Sequence, residues 1–166
     1  MLSINRFKMY LVMLVVLSLY LCRDSRPSFD AMINNYQENT EVFMKLAKLS
    51  CQLGEKGELK FYEPRSFEYV TNPVLDAYLG AIDGKSVVYT KNSDGSCGLS
   101  VYIWGMGFAG SGNSYRYKYQ PEAPKPYDPA VHIHNKIINN QKDVEFDMPL
   151  THEAQFDNWY FNYKNT

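Results

Sequence analysis

Residues 97–119, CGLSVYIWGMGFAGSGNSYRYKY, decide the fold, because two strand-like stretches flank a run of glycines. The stretch 97–104 is rich in aromatic and β-branched residues, and Tyr115–Tyr119 alternates tyrosine with basic residues, so both predict strands. The glycines fit G-x-G-x-x-G with one more following: Gly105, Gly107, Gly110 and Gly112. A dinucleotide loop of that pattern must lead into a helix. We therefore expect a hairpin connection with positive backbone φ, and no nucleotide.

The rest of the chain predicts a single α+β domain over 29–166. Apolar residues spaced by three, four and seven predict one long amphipathic helix over 29–52, and Asn72 and Pro73 mark a short helix over 73–82. Strands are expected at 58–62, 66–70, 86–91, 97–104, 114–120, 144–148 and 158–164, with 131–137 either strand or short helix. The expected architecture is the long helix packed on an antiparallel meander of five to six strands, with the short helix as an addition.

The first 22 residues have the composition of a targeting segment. Arg6 and Lys8 precede 14 uncharged residues, Met9–Cys22. A membrane-spanning helix needs about 20 apolar residues and the apolar region of a signal peptide about 7–15. We expect residues 1–22 to be a signal peptide or membrane anchor and 23–28 to be a short tether.

Processing of this segment stays open. Cys22 lies where a bacterial lipoprotein carries its lipidated cysteine. The residue before such a cysteine is small, whereas here it is Leu21. Lipidation at Cys22, ordinary cleavage and a retained anchor are therefore three alternatives, and each places the protein in the periplasm or on a membrane facing it.

The two remaining cysteines, Cys51 and Cys97, predict a disulfide if the chain is exported. The alternative is a pair of buried free thiols. The formal net charge of −1 gives no basic excess for nucleic acid.

The glycine segment is also a candidate binding surface. Glycines allow a ligand backbone or sugar to approach closely, and aromatic residues frame the loop. The candidate contacts are Trp104, Phe108, Gly110, Gly112 and Tyr115. The alternative is a purely structural hairpin with its tyrosines in the core.

His132 and His134 form an H-x-H pair that would share one face of a strand, which suits Zn²⁺ or Cu²⁺. A third ligand would have to come from His152 or Asp128. Surface histidines are the alternative. The G-x-S-x-G motif of serine hydrolases does not occur. We expect no cofactor and no enzymatic activity.

The layout resembles a loose group of small exported or lipoprotein-like proteins of Gram-negative bacteria. The shared features are Gly110-Ser111-Gly112, the strand Tyr115–Tyr119 and Trp159-Tyr160. The resemblance implies no activity. From the residues we expect a non-catalytic envelope protein that binds another protein, one version being an immunity-type inhibitor of an exported toxin. The alternatives are a periplasmic metal-dependent or hydrolytic enzyme and a glycan-binding protein.

Overall fold

The computed structural model describes residues 26–64, 71–108, 111–132, 143–151 and 158–166. These ranges contain three helices and six strands. In chain order they are α1 Phe29–Glu38, α2 Thr40–Glu55, β1 Phe61–Tyr62, α3 Pro73–Ala81, β2 Ser86–Lys91, β3 Cys97–Phe108, β4 Ser111–Tyr119, β5 Val144–Pro149 and β6 Trp159–Asn165. The α+β class predicted from the sequence is confirmed.

The six strands form one antiparallel sheet in the order β1-β2-β3-β4-β6-β5. The predicted meander holds from β1 to β4. It then fails, because β6 pairs with β4 and β5 lies outside β6 at the edge of the sheet. The chain therefore passes to the edge before it returns to the interior of the sheet.

The single helix predicted over 29–52 is wrong, because the chain forms two helices separated at Asn39. Asn39 has φ −118° and ψ 22°, outside the helical range. Its side-chain amide donates to the carbonyl oxygen of Asn35 at 3.0 Å, and the hydroxyl of Thr40 donates to the carbonyl oxygen of Tyr36 at 3.0 Å. Such side chains offer the backbone an alternative partner and interrupt a helix. The buried face continues from Tyr36 to Phe43, seven residues on, so the apolar periodicity does not reveal the break.

The core lies between the helices and one face of the sheet, which we call the inner face. Tyrosines and other aromatics from β4 and β6 fill it: Tyr115, Tyr117, Trp159, Phe161 and Tyr163. Phe43 of α2 packs edge-on against Tyr117 and Trp159, with ring centroids 4.7 and 5.1 Å away. The Tyr117 hydroxyl donates to the Met32 carbonyl oxygen of α1 at 2.8 Å. Buried hydroxyl groups need such partners, so this bond ties α1 to the centre of the sheet.

A disulfide between Cys51 and Cys97 joins α2 to the first residue of β3, with the Cα atoms 5.7 Å apart. The predicted pairing is therefore confirmed. One turn later on α2, Gly54 lies directly against the Tyr89 ring of β2. The covalent bond and this close approach together hold the C-terminal end of α2 on the sheet.

Several predicted segments fall partly or wholly outside the described residues: 1–22, 23–25, 66–70 and 133–137. Val131 and His132 are described, and they lie in a turn and in irregular chain rather than in the predicted strand or helix. Within the described ranges, the helices are all too short or too polar to cross a bilayer.

Removal of the disulfide is expected to lower stability substantially. The bond closes a loop with a sequence separation of 46, and loop entropy predicts a loss of about 4 kcal/mol from the free energy of unfolding. The measurement is urea denaturation of the oxidised wild type against Cys51→Ser/Cys97→Ser. An unchanged midpoint would contradict a structural role for the bond.

Gly54→Ala is expected to destabilise the protein by about 1–3 kcal/mol, because the new Cβ would overlap the Tyr89 ring. This cost exceeds the gain of about 1 kcal/mol that alanine brings to a helix. Gly80→Ala is the matched control, since Gly80 lies in α3 with open space where its Cβ would be. We expect Gly80→Ala to be neutral or stabilising by up to about 1 kcal/mol in urea denaturation. Equal effects of the two substitutions would show that contact with Tyr89 is not the cause.

Candidate functional site

The described glycines of the glycine segment lie in strands rather than in a loop. β3 continues to Phe108 and β4 begins at Ser111, so Gly105, Gly107 and Gly112 all lie within strands. Among the described residues, the glycines with positive φ are Gly57 and Gly95. The predicted positive φ is therefore wrong for these three glycines, and their role requires another explanation.

That explanation is close approach. Gly112 lies opposite Gly107 in the register of β3 and β4. A Cβ added to Gly112 would lie 2.5 Å from the Gly107 Cα and 2.5 Å from the Met106 carbonyl oxygen. A Cβ added to Gly105 would collide with the Tyr102 hydroxyl. Larger residues would therefore disturb the backbone or displace the Tyr102 ring.

The glycines lie on the outer face of the sheet, opposite the core. Tyr115 and Tyr117 of β4 point into the core, so strand alternation turns Arg116, Ser114 and Gly112 outward. On β3 the register shifts between Tyr102 and Trp104, which marks a bulge. The bulge allows Tyr102 to reach over Gly105 from the outer side although Trp104 remains in the core.

A groove of about 570 Å³ lies on this face. We call it the glycine groove and define it by Tyr102, Gly105, Gly107, Gly112, Arg116 and Lys164. Its floor is backbone at Gly107 and Gly112 and is covered by the Tyr102 hydroxyl at Gly105, and two long cationic side chains from β4 and β6 line it. A ligand can therefore approach the sheet closely and meet positive charge.

The two cations of the glycine groove have no carboxylate partner in the described ranges. Neither Arg116 nor Lys164 forms an ion pair there, and the buried Nε–H of Arg116 donates a hydrogen bond to none of those residues. A buried donor without an acceptor costs free energy. The groove is therefore suited to a group that supplies negative charge and hydrogen-bond acceptors, such as a carboxylate.

The nearest acidic side chains are engaged elsewhere on the outer face. The Asp147 side chain is fully buried and interacts with the Lys118 ammonium at 3.0 Å and the Asn162 amide at 2.9 Å, and it accepts the Lys125 backbone N–H at 2.8 Å. Glu145 lies 2.6 Å from the Lys125 ammonium and 3.3 Å from that of Lys118. This network engages the acids of β5, so neither cation of the groove forms an ion pair with them in the described part of the chain.

Burial alone would raise the pKa of Glu145, but the hydrogen bond from Lys125 and the charges of Lys118 and Lys125 outweigh it and lower the pKa to about 2. A lowered pKa means that the folded state favours the ionised carboxylate. Its stabilisation is complete above the ordinary value of 4.5 and is lost as pH falls through about 2.

We expect Glu145→Gln to flatten this dependence, so that urea midpoints fall less between pH 4.5 and 2 than in the wild type. Glu38→Gln, which removes an exposed carboxylate on α1, is the control. If both variants follow the wild-type curve, the lysine contacts of Glu145 do not contribute to stability.

The aromatic residues predicted to frame a binding loop lie on the other side of the sheet. Trp104 is 5% exposed and Tyr115 is fully buried. Arg26 covers them from the tether: its Nε donates to the Tyr115 hydroxyl at 2.6 Å, and its guanidinium lies 5.2–5.8 Å from the ring centroids of Tyr115, Tyr163 and Trp104. Such cation–π contacts contribute about 0.5–2 kcal/mol each. The tether is thereby held against the core, and both aromatics serve packing in this structure.

Of the five predicted binding residues, Gly112 lies in the groove. Gly110 and the side chain of Phe108 lie outside the described residues. Sequence reasoning missed Tyr102, Arg116 and Lys164. Alternation along β4 could have put Arg116 on the face of Gly112, whereas Lys164 requires the register of β6.

The predicted metal ligands are not assembled within the described part of the chain. The Nδ1 atom of His132 accepts the Asp128 backbone N–H at 2.8 Å, and its ring stacks on Phe146 with centroids 4.7 Å apart. That nitrogen is therefore not free to bind a metal in this arrangement. His134 and His152 lie outside the described residues, and within the described residues no cluster of three His, Cys, Asp or Glu occurs.

No protein-family model matches the chain, and no curated protein or solved structure matches it either. The resemblance to small exported proteins of Gram-negative bacteria therefore stays a prediction.

Proposed function

We propose that the protein is an exported, non-catalytic binding protein of the bacterial cell envelope that recognises another protein through the glycine groove. The single observation that carries the proposal is the pair of cations without ion pairs among the described residues, Arg116 and Lys164, in a groove whose floor is backbone at Gly107 and Gly112. The partner presents an acidic group to this pair.

The disulfide supports export, because such bonds persist in oxidising compartments and are rare in the reducing cytosol. The charged and apolar pattern of residues 1–22 supports the same location. Delivery to the periplasm, with the leader cleaved, lipidated at Cys22 or retained, is part of the proposal.

The chemistry of the groove favours recognition over catalysis. A guanidinium group binds anions through its fixed donors, and glycines supply no nucleophile or proton carrier. Electrostatic complementarity accelerates encounter and selects partners with the opposite charge. An immunity-type inhibitor whose target presents an acidic loop is one version of this function.

The experiment compares wild-type protein with Arg116→Gln/Lys164→Gln as bait in envelope extracts of the source cells. We expect the wild type to retain a specific protein and the double variant to bind it at least about tenfold more weakly, since charge-assisted hydrogen bonds contribute about 1.5–3 kcal/mol each. Affinity is then measured with the purified partner at two salt concentrations.

Lys48→Gln/Lys91→Gln is the matched control, because it removes two exposed cations away from the groove. Circular dichroism checks that every variant is folded. Equal retention by all three proteins would overturn the groove as the binding surface. Retention by peptidoglycan instead of a protein would favour the glycan-binding alternative.

A further inference from the structure

The two edges of the sheet differ in how they are covered. At the β5 edge, residues around Pro126 run beside Asp147, and the Asp147 backbone N–H donates to the Lys125 carbonyl oxygen at 2.7 Å. Natural sheets cover or interrupt their edges in this way, because exposed backbone groups recruit other strands. The β5 edge is therefore occupied by the protein itself.

The second half of β3 has no such cover among the described residues. β2 pairs with β3 only as far as the pair Ser86 and Tyr102. Beyond it, Gly105–Gly107 pairs with β4 on one side, and no strand of residues 26–64, 71–108, 111–132, 143–151 or 158–166 pairs with it on the other. No proline or charged side chain interrupts this short edge.

We propose that the partner binds as an extended segment that adds to the edge Gly105–Gly107 as a further strand, with an acidic–apolar–acidic pattern. This inference rests on the proposed function and specifies the chemistry of its partner. Backbone hydrogen bonds supply affinity in such strand addition, and alternate side chains supply specificity.

The acidic positions follow from the glycine floor. An added strand lies about 4.8 Å from β3 and about 10 Å from β4. Its residues opposite Gly105 and Gly107 point to the outer face. The residue opposite Gly107 crosses backbone without a side chain, whereas the residue opposite Gly105 meets the hydroxyl of Tyr102, which lies over that glycine. Arg116 and Lys164 line the same groove from β4 and β6, so acidic side chains at these two positions meet positive charge on the outer face.

The apolar position follows from Met106. Met106 lies opposite Asn113, whose side chain accepts a hydrogen bond from the inner-face residue Tyr163, so Met106 points away from the groove. Its side chain is 58% exposed. The residue of the added strand between the two acids faces Met106, and an apolar side chain there buries this surface.

The test uses a dye-labelled peptide, Thr-Val-Glu-Val-Glu-Val-Thr, in a fluorescence anisotropy titration with the full chain. We expect binding to the wild type, and at least about tenfold weaker binding of the Lys-for-Glu peptide or to Arg116→Gln/Lys164→Gln. Hydrogen exchange of the Gly105–Gly107 amides should slow when the Glu peptide is bound.

Two further peptides isolate the backbone contribution. One carries N-methyl groups on its odd-numbered residues and the other on its even-numbered residues, and we call these two sets of positions the two frames. In a strand only one frame of N–H groups faces β3, so one methylated peptide should lose at least about tenfold in affinity and the other should not. Equal affinities of the two methylated peptides, or no binding of the Glu peptide, would overturn strand addition.

The outcomes separate this inference from the proposed function. Charge-dependent binding without a difference between the methylated frames rejects the added strand but leaves the cationic groove intact. Binding that ignores both the peptide charge and the Arg116→Gln/Lys164→Gln change rejects the groove itself. Sedimentation of the free protein as a dimer that the peptide does not dissociate would assign the edge to a second copy and also overturn the proposal.

Discussion

The burial of Tyr115 and Tyr117 under the two N-terminal helices orients the rest of the molecule. Both rings are fully buried, and the Tyr117 hydroxyl is bonded to the backbone of α1. Because side chains alternate along a strand, this burial turns Gly112, Ser114 and Arg116 to the opposite face. The glycine groove is thus a direct consequence of how the core is packed, since a shift of β4 by one residue would exchange the two faces.

The outer face keeps its charge because the acids of β5 are already neutralised. Asp147 is buried between Lys118 and Asn162, and Glu145 is held by two lysines. A buried carboxylate left without these partners would be strongly destabilising. The network therefore stabilises the register of β5 with β6. Because these acids contact other lysines, they form no ion pair with Arg116 or Lys164.

A single sequence feature, the repeated glycine, has two consequences in this structure. Gly107 and Gly112 lie opposite each other where a side chain would collide with the facing backbone. Their lack of side chains therefore allows β3 and β4 to continue pairing as far as Phe108 and Ser111. The same lack of side chains leaves the floor of the groove open. β3 extends beyond its pairing with β2, so the groove adjoins an edge of β3 that none of the described strands covers. The dinucleotide-binding form of this glycine motif leads into a helix, whereas here the strand β4 follows the glycines.

The sequence by itself determined the α+β class, the disulfide partners and the position of most strands, because periodicity, turn residues and cysteine number are local properties. The sequence also named Gly112 as a candidate binding residue, and this role stays a prediction although the glycine lines the groove. The sequence did not reveal the helix break at Asn39, because the apolar periodicity continues across this residue. The break depends on local hydrogen bonds such as the one from the Asn39 side-chain amide to the Asn35 carbonyl oxygen. Tertiary structure alone decided that β6 enters between β4 and β5, which brings Lys164 to the groove, and that Trp104 faces the core after a bulge. Strand order and register depend on contacts between residues distant in the chain, and no local pattern encodes them.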